Sequence, residues 1–478
     1  MTSNAPLVRS FPWLVAALLA GLSWSLDFNG LYGQDAHEYL RQSKALFDGW
    51  QGLPTPPPGT GDREFARGYP MAGAGLRWLF GDAVLALQLV SWLSAALGSY
   101  FFVRLLDLLS PGARAGSRWA FAGLGLVAAP VFFRAGMTAM SDGLGLSLTL
   151  AAFFYGLRAM EKKRMADVAL AALAAVLAIA TRYALAVLLL PLAMALGYEL
   201  IRTRQRLALA GLLPGGLLGL LLFSGPATND PLQHSLMQDW SLANLWAKTF
   251  HNASGTIRYA LPNILYLLYP LAHPAFCLAL PGLFFLFKRT DLVLSSKRLL
   301  AACSLSYLLL LGGLPHQNLR YLLPAYVLLL LLLFPAWDRL YCYGFLFFPR
   351  LTRWVLGVTL AVQVFFCVWF FRPVWLRHEM EKRMAGEISA RVSPGHTIYA
   401  FDVDVALRSY LPELHFQNLW ERRYDNYPAG SFVLFNEKLR PQWEGLPPVL
   451  NWEDLQQQYR LEKKVEWPEG WVLWEVEE

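Results

Sequence analysis

Apolar residues in this chain are grouped in runs of about 15 to 27, of the length a helix needs to cross a hydrocarbon layer of about 30 Å. The runs lie at 11–26, 83–109, 119–134, 142–160, 166–181, 183–200, 207–223, 263–287, 299–313, 319–335 and 354–371, which predicts eleven membrane-spanning helices. Segments of this kind cannot be left as open strands or loops in lipid, because their backbone groups would find no partners there. Across the 478 residues 56% are hydrophobic and 16% charged, an imbalance that soluble domains do not carry.

The net charge of +7 invites a nucleic-acid reading, but the distribution excludes it. Basic residues collect at every second junction: Arg114 and Arg118, then Lys162, Lys163 and Arg164, then Arg202, Arg204 and Arg206. Lys288, Arg289, Lys297 and Arg298 follow, and then Arg339, Arg350 and Arg353. This alternation is the positive-inside bias. It places the N-terminus in the cytoplasm, and an odd number of spans places 372–478 outside. No small-x-small cleavage pattern follows the first run at Ser25-Leu26-Asp27-Phe28, so it reads as an uncleaved anchor. Cys277, Cys303, Cys342 and Cys367 lie in or beside spans with no CxxC or His/Cys spacing, which supports neither a disulfide framework nor a zinc site.

Polar mass gathers on the outer side, in 27–82, 224–262 and 372–478, so the chain is expected to work there. In the first of these, Asp35 with Glu38 three residues later fits a capping box, and Gly49 a C-terminal stop. Between them Ala36, Tyr39, Leu40, Ser43, Leu46 and Phe47 share a face at helical spacing, predicting an amphipathic helix along the membrane surface. A stiff segment with Pro54, Pro56, Pro57 and Pro58 follows, then Arg67-Gly68-Tyr69-Pro70. At the other end 397–401, 431–435 and 471–476 read as strands and 405–411 as a helix, predicting a small soluble α/β domain over 372–478 beyond a membrane domain over 1–371.

Ionisable residues at membrane depth are costly and therefore candidates for function. Arginines on the outer side run against the positive-inside bias. Arg63, Arg67, Arg134, Arg182, Arg258 and Arg320 are all there, suited as a group to the bidentate guanidinium bonds a phosphate accepts. Singly, each can also snorkel to lipid head groups. Asp35 and Asp142 are the candidate catalytic carboxylates, as base and orienter or as joint ligands of a divalent cation; each can equally be a plain helix cap. His316, in the segment leading to Arg320 and Tyr321, can donate to a phosphate or hydroxyl.

This constellation resembles the GT-C glycosyltransferases, and most closely glycosyltransferase family 39 with its protein O-mannosyltransferase and lipid A aminoarabinose transferase relatives. Gln34-Asp35-Ala36-His37-Glu38-Tyr39 is similar to their first outer loop, and Arg67-Gly68-Tyr69-Pro70 to their Pro-containing segment before span two. Ser141-Asp142-Gly143 and Arg320-Tyr321-Leu322-Leu323-Pro324 resemble two further elements, and the likeness covers roughly 10–335. It implies a sugar donor on polyprenyl phosphate or pyrophosphate and an acceptor hydroxyl on glycan, lipid or protein. It also implies transfer by inverting displacement at the outer face of a bacterial inner membrane. On that resemblance Asp35 is the base or the carboxylate that orients the acceptor, Asp142 supports it, and arginines such as Arg320 stabilise the leaving phosphate, while His37, Glu38 and Tyr69 join the substrate site. The pattern departs at Ala36, where many relatives carry a second acidic residue, and no Trp-Trp-Asp element is present for transfer to asparagine. A transporter or lipid-linked glycan flippase is the rival class, and it predicts broken helices paired between two halves.

Overall fold

The computed structural model describes residues 5–53, 66–223, 239–252, 255–277, 280–292 and 294–477. Arg63 and the prolines at 54 and 56–58 lie outside them. The chain forms two compact units, one of 1–29, 66–246 and 261–372, the other of 30–65, 247–260 and 373–478.

The first unit is helical. In order it contains α1 (Ala5–Ser25), α3 (Gly68–Phe80), α4 (Ala83–Leu109), α5 (Ala115–Phe121), α6 (Pro130–Met137), α7 (Ser141–Lys162), α8 (Met165–Thr181), α9 (Leu185–Arg202) and α10 (Leu212–Phe223). α11 (Ser295–Gly312), α12 (Leu323–Phe347) and the start of α13 (Pro349–Ser389) follow; α2 (Gly33–Trp50) belongs to the second unit. Among the described residues five helices are long and apolar enough to cross a membrane: 83–109, 141–162, 185–202, 319–347 and 349–389. A sixth arises if the pair 115–127 and 130–137, bent by 69°, is one span. The runs at 11–26, 166–181 and 299–313 are helical but shorter or less apolar than those six, and the run at 207–223 is divided by a turn at 210–211 into Arg206–Leu209 and Leu212–Phe223.

Two expected spans are corrected. The run at 263–287 is not one helix but short pieces, Asn263–Tyr266, Tyr269–Ala272 and Leu280–Phe285. Pro262, Pro270, Pro274 and Pro281 remove backbone donors at intervals too short for a continuous ladder. The run at 119–134 breaks where a π-helical turn, Ala122–Val127, meets Pro130. The break frees backbone groups that find partners elsewhere in the unit. Gln363, fully buried, donates to Ala128 O at 3.2 Å and to Phe276 O at 3.3 Å, and Cys367 Sγ lies 3.3 Å from Ala128 O. The N–H of Val131 donates to Ala275 O at 3.0 Å. A glutamine at the middle of a lipid-crossing helix is thereby explained.

Small residues let the helices approach. The clearest case is Gly68 at the start of α3. A Cβ there would lie 2.7 Å from Thr181 Oγ1 and 2.8 Å from the backbone C and O of Ala180. Next to it Tyr69, fully buried, donates to Leu87 O at 2.9 Å and bonds Ser91 Oγ at 2.9 Å. Ser91 Oγ in turn lies 2.7 Å from Thr138 O, so this motif ties the start of α3 to α4 and to the junction leading into α7.

The second unit contains a hairpin, β1 (Thr249–Asn252) with β2 (Gly255–Arg258), and a separate five-stranded mixed sheet. The strands of the sheet are β3 (Thr397–Ala400), β4 (His415–Asn418), β5 (Phe432–Asn436), β6 (Arg460–Glu466) and β7 (Trp471–Glu477). Their order is β4-β3-β5-β7-β6. β3 runs parallel to β4 and β5, while β7 pairs antiparallel with β5 and β6. α14 (Asp404–Tyr410) links β3 to β4 and α15 (Pro447–Gln458) precedes β6. Phe435 stacks on Trp452 at 4.8 Å in a core that also buries Trp471. The α/β reading of this end holds.

Gly68→Ala is expected to cost about 1–3 kcal/mol through overpacking against backbone that cannot yield. Gly75→Ala, where a Cβ meets nothing within 4 Å, is the control and should leave the melting temperature in detergent level or slightly raised, since alanine is the better helix former. Equal melting temperatures for the two variants would refute this account of the motif.

Candidate active site

In the first unit several of the expected residues come together. Asp142, 5% exposed, is ion-paired with Arg182. The Arg182 guanidinium lies over the Tyr321 ring at 4.9 Å, and that of Arg320 lies 5.5 Å from the same ring. His316 meets Tyr321 at 5.6 Å between ring centroids. Two guanidiniums thus meet around a single aromatic ring, with the Asp142 carboxylate on one of them, donors of the kind that suit an anion.

The surrounding sequence fixes these side chains. Asp142 sits in the first turn of α7, whose N-cap position is Met140, with no side-chain cap. The reading of Asp142 as a plain cap therefore gives way to that of an ion-pair partner. Arg182 follows directly on α8, beside the Ala180–Thr181 backbone against which Gly68 packs. Arg320 is placed by a laced loop. Asn263 Nδ2 donates to Leu314 O at 2.6 Å, Tyr266 OH donates to Asn318 O at 2.6 Å, and Asn318 Oδ1 accepts from the N–H of Arg320 at 3.2 Å.

One residue of this cluster was not foreseen. The hydroxyl of Tyr307, on α11, is buried and has no hydrogen-bond partner among the described residues, and it lies within electrostatic range of Arg182 and Tyr321. A polar tip inside an otherwise apolar run was the signal available in the sequence. Arg134 lies on α6, where its own carbonyl accepts from Thr138 Oγ1 at 2.9 Å, and Arg67 is exposed at the N-cap of α3.

The second unit holds the other expected residues. α2 begins at Gly33 with Tyr32 as its N-cap, and the Tyr32 side chain makes no capping bond. Asp35 is thus not the cap but a residue of the first turn, where a negative charge is favoured by the helix dipole. Gly49 does not end the helix, which runs on to Trp50. Glu38, 5% exposed, is engaged along its own helix by Arg41 Nη2 at 2.6 Å and Gln42 Nε2 at 2.9 Å. The helix packs on α14. His37 is fully buried there, with Nδ1 2.5 Å from Ser409 Oγ and Nε2 3.5 Å from Glu381 Oε2. The Ser409 hydroxyl donates to Ala406 O at 2.8 Å, so it is the acceptor of the His37 Nδ1–H, a structural contact between α2 and α14. Arg258 is exposed on β2.

No cluster of three or more His, Cys, Asp or Glu side chains with metal-site geometry occurs among the described residues.

Against this geometry, residues 75–385 match the model of the Alg9-like mannosyltransferase family. That is more than half of the chain, and the chain belongs to this family, a GT-C glycosyltransferase lineage, as a multi-pass membrane protein. The matched stretch contains Asp142, Arg182, Arg320 and Tyr321; Asp35 lies before it. Among solved structures the chain is similar to ArnT from Cupriavidus metallidurans bound to undecaprenyl phosphate, with a TM-score of 0.61 and 16% identity, covering 99% of this chain and 98% of that one. The apo form of the same protein gives 0.56 and 14%, covering 97% of each. At these identities the likeness establishes the GT-C fold. No curated protein matches the sequence.

Asp404, at the start of α14, is fully buried, and its Oδ2 accepts from Asn418 Nδ2 at 3.0 Å. Burial pushes its carboxyl up to about 7 from an ordinary 3.8. The folded form thus holds a proton that the unfolded chain releases. Asp404's own contribution to stability is therefore largest below about pH 4 and falls as pH rises to about 7, by about 4 kcal/mol across that window. Asp404→Asn should flatten the dependence, measured by tryptophan-monitored unfolding of the full-length protein from pH 4 to pH 8. An undiminished slope in the variant would assign the effect elsewhere.

Proposed function

We propose that this chain transfers a sugar from a polyprenyl-phosphate-linked donor to an acceptor hydroxyl on a glycan, lipid or protein. The work is done at the extracytoplasmic face of a bacterial inner membrane. A cytoplasmic N-terminus with 372–478 outside is part of this reading. The observation that carries it is the Arg182–Arg320–Tyr321 cluster inside the stretch matched by a glycosyltransferase family. The undecaprenyl phosphate held by the structural neighbour supports the choice of donor.

In the reaction the acceptor oxygen attacks the anomeric carbon, the bond from that carbon to the phosphate oxygen breaks, and the lipid phosphate leaves with the electron pair. One displacement inverts the anomeric centre. Asp35 takes the proton of the acceptor hydroxyl. Arg182 and Arg320 offset the charge that grows on the leaving phosphate, with Arg134, Arg67 and Arg63 as further donors to it and His316 and Tyr307 as hydrogen-bonding groups. Asp142 holds Arg182 in place. Glu38, Tyr69, Tyr321 and Arg258 complete the proposed substrate surroundings. No step is routed through a divalent cation. If one is needed, Asp35 and Asp142 are the residues to examine, and chelation in the assay below would abolish turnover.

The test is release of polyprenyl phosphate from a panel of polyprenyl-phosphate sugars by the purified protein in detergent. Wild type should consume one of them. Asp35→Asn should lose about 100-fold or more and Arg320→Gln about 100-fold, with melting temperatures retained. Wild-type turnover by Asp35→Asn would remove the assigned base. No consumption of any donor, with vectorial movement of lipid-linked sugar in sealed vesicles, would establish the flippase reading instead.

A further inference from the structure

Glu381 takes no part in the reaction above, yet it is among the most heavily bonded groups of its unit. Its side chain is wholly buried on α13. Both carboxylate oxygens lie 3.2 Å from the backbone N of Gly33, Oε1 accepts from Arg377 Nε at 2.6 Å, and Oε2 lies 3.5 Å from His37 Nε2. Arg377 passes the connection on, donating to Asp402 Oδ2 at 3.0 Å and to Asp402 O at 2.9 Å. Asp402 occupies a left-handed conformation, φ 70°, in the turn before α14. From α14, Ser409 returns to His37 and closes a ring. Three residues before Glu381, His378 Nδ1 lies 2.8 Å from Leu31 O, in the segment that leads into α2.

The first N–H groups of a helix have no partners within it, and an Asp, Asn, Ser or Thr at the N-cap normally supplies one. α2 has Tyr32 there, with no side-chain bond. Gly33, at φ 60°, turns its N–H out of the line a side-chain-bearing residue would keep, and Glu381 receives it. A charge brought from α13, more than 300 residues along the chain, does what the local sequence leaves undone, and it also complements the helix dipole.

We infer that Glu381 is a positioning residue for Asp35: it caps α2 from outside and, through His37 and Arg377, fixes the rotation and height of the turn that carries the carboxylate. Asp35 is two residues beyond the capped N–H. This inference rests on the reading of Asp35 as the base. A reacting group needs its supporting contacts to hold it within a fraction of an ångström, so loosening them lowers the chemical step before it affects donor binding.

The experiment measures kcat and donor KM for polyprenyl phosphate release in detergent, with amide hydrogen exchange over 31–50, in four variants. Glu381→Ala should lower kcat about 30-fold or more with KM within about 2-fold, and speed exchange at Gly33 and the amides after it but not at 44–50. Glu381→Gln keeps an oxygen for the Gly33 N–H and should recover part of that loss. Gly33→Ala leaves the Glu381 charge intact, strains the φ 60° backbone, and should lower kcat in the same way. If Glu381→Ala does not fold, Glu381→Gln and Gly33→Ala carry the test. Wild-type kcat in those variants, or a fall in kcat that vanishes when rates are expressed per folded protein, overturns the inference. Asp35→Asn, run alongside, separates the two levels. Full turnover by it removes the base and this inference with it, whereas an inactive Asp35→Asn beside a fully active Glu381→Ala removes the positioning role alone.

Discussion

Every helix end exposes backbone groups that must be paired, and in a chain bound for lipid there is no water to do it. Much of the detailed architecture follows from that constraint. Where the helix at 115–137 breaks, the freed carbonyl of Ala128 is taken by Gln363 and Cys367, and the N–H of Val131 by Ala275. Where α2 starts without a local cap, Glu381 takes the Gly33 N–H. In the loop before α12, Asn263 and Tyr266 supply the bonds that leave Arg320 in a fixed place. In each instance the backbone group is answered by a residue far away in sequence. Such residues are anomalous one at a time and become intelligible once the open group is located.

That same fact sets what could be read from the sequence. Apolar runs follow from local composition, so α4, α7 and α9 fall where hydropathy puts them. The runs cannot reveal that prolines divide 263–287, because hydropathy scores side chains and not backbone donors. In the sheet, β3, β5 and β7 were legible because they are its central strands; β5 is buried at every position. The two unread strands, β4 and β6, are its edges. β6 exposes Arg460, Glu462, Lys463 and Glu466, and a half-solvated charged edge carries no apolar signature.

The candidate site divides along the same line. Arg182, Arg320, Asp142 and Tyr321 were legible because charges at span ends are costly and therefore informative. Their mutual geometry, two guanidiniums about one ring, was not. It depends on the loop laced by Asn263 and Tyr266 and on the close approach of Gly68 to the end of α8. Asp35 and Asp142 were each open to a capping reading on local spacing alone, and both helices begin with other residues at the N-cap. Tyr307 and Glu381 went unread for opposite reasons. Tyr307 is a single hydroxyl in an apolar run, whereas Glu381 is one charge among many in the stretch from Arg377 to Glu387, where nothing local sets it apart.

The broken helix bears on the choice between transferase and flippase in a specific way. A transporter uses discontinuous helices in pairs, so that backbone carbonyls and half-helix ends face a substrate at the membrane midplane. Here the freed carbonyl of Ala128 is not offered to a ligand. Gln363 and Cys367 occupy it, and all three residues are buried. A backbone group satisfied by the protein's own side chains serves to redirect the chain, and the redirected helix α6 leads within a few residues to Met140 and Asp142. Arg320 Nη1 meets Met140 Sδ, and Arg182 meets Asp142. The bend therefore delivers α7 to the arginines, which is the service a fixed anion site needs from it and one that a moving gate would not preserve.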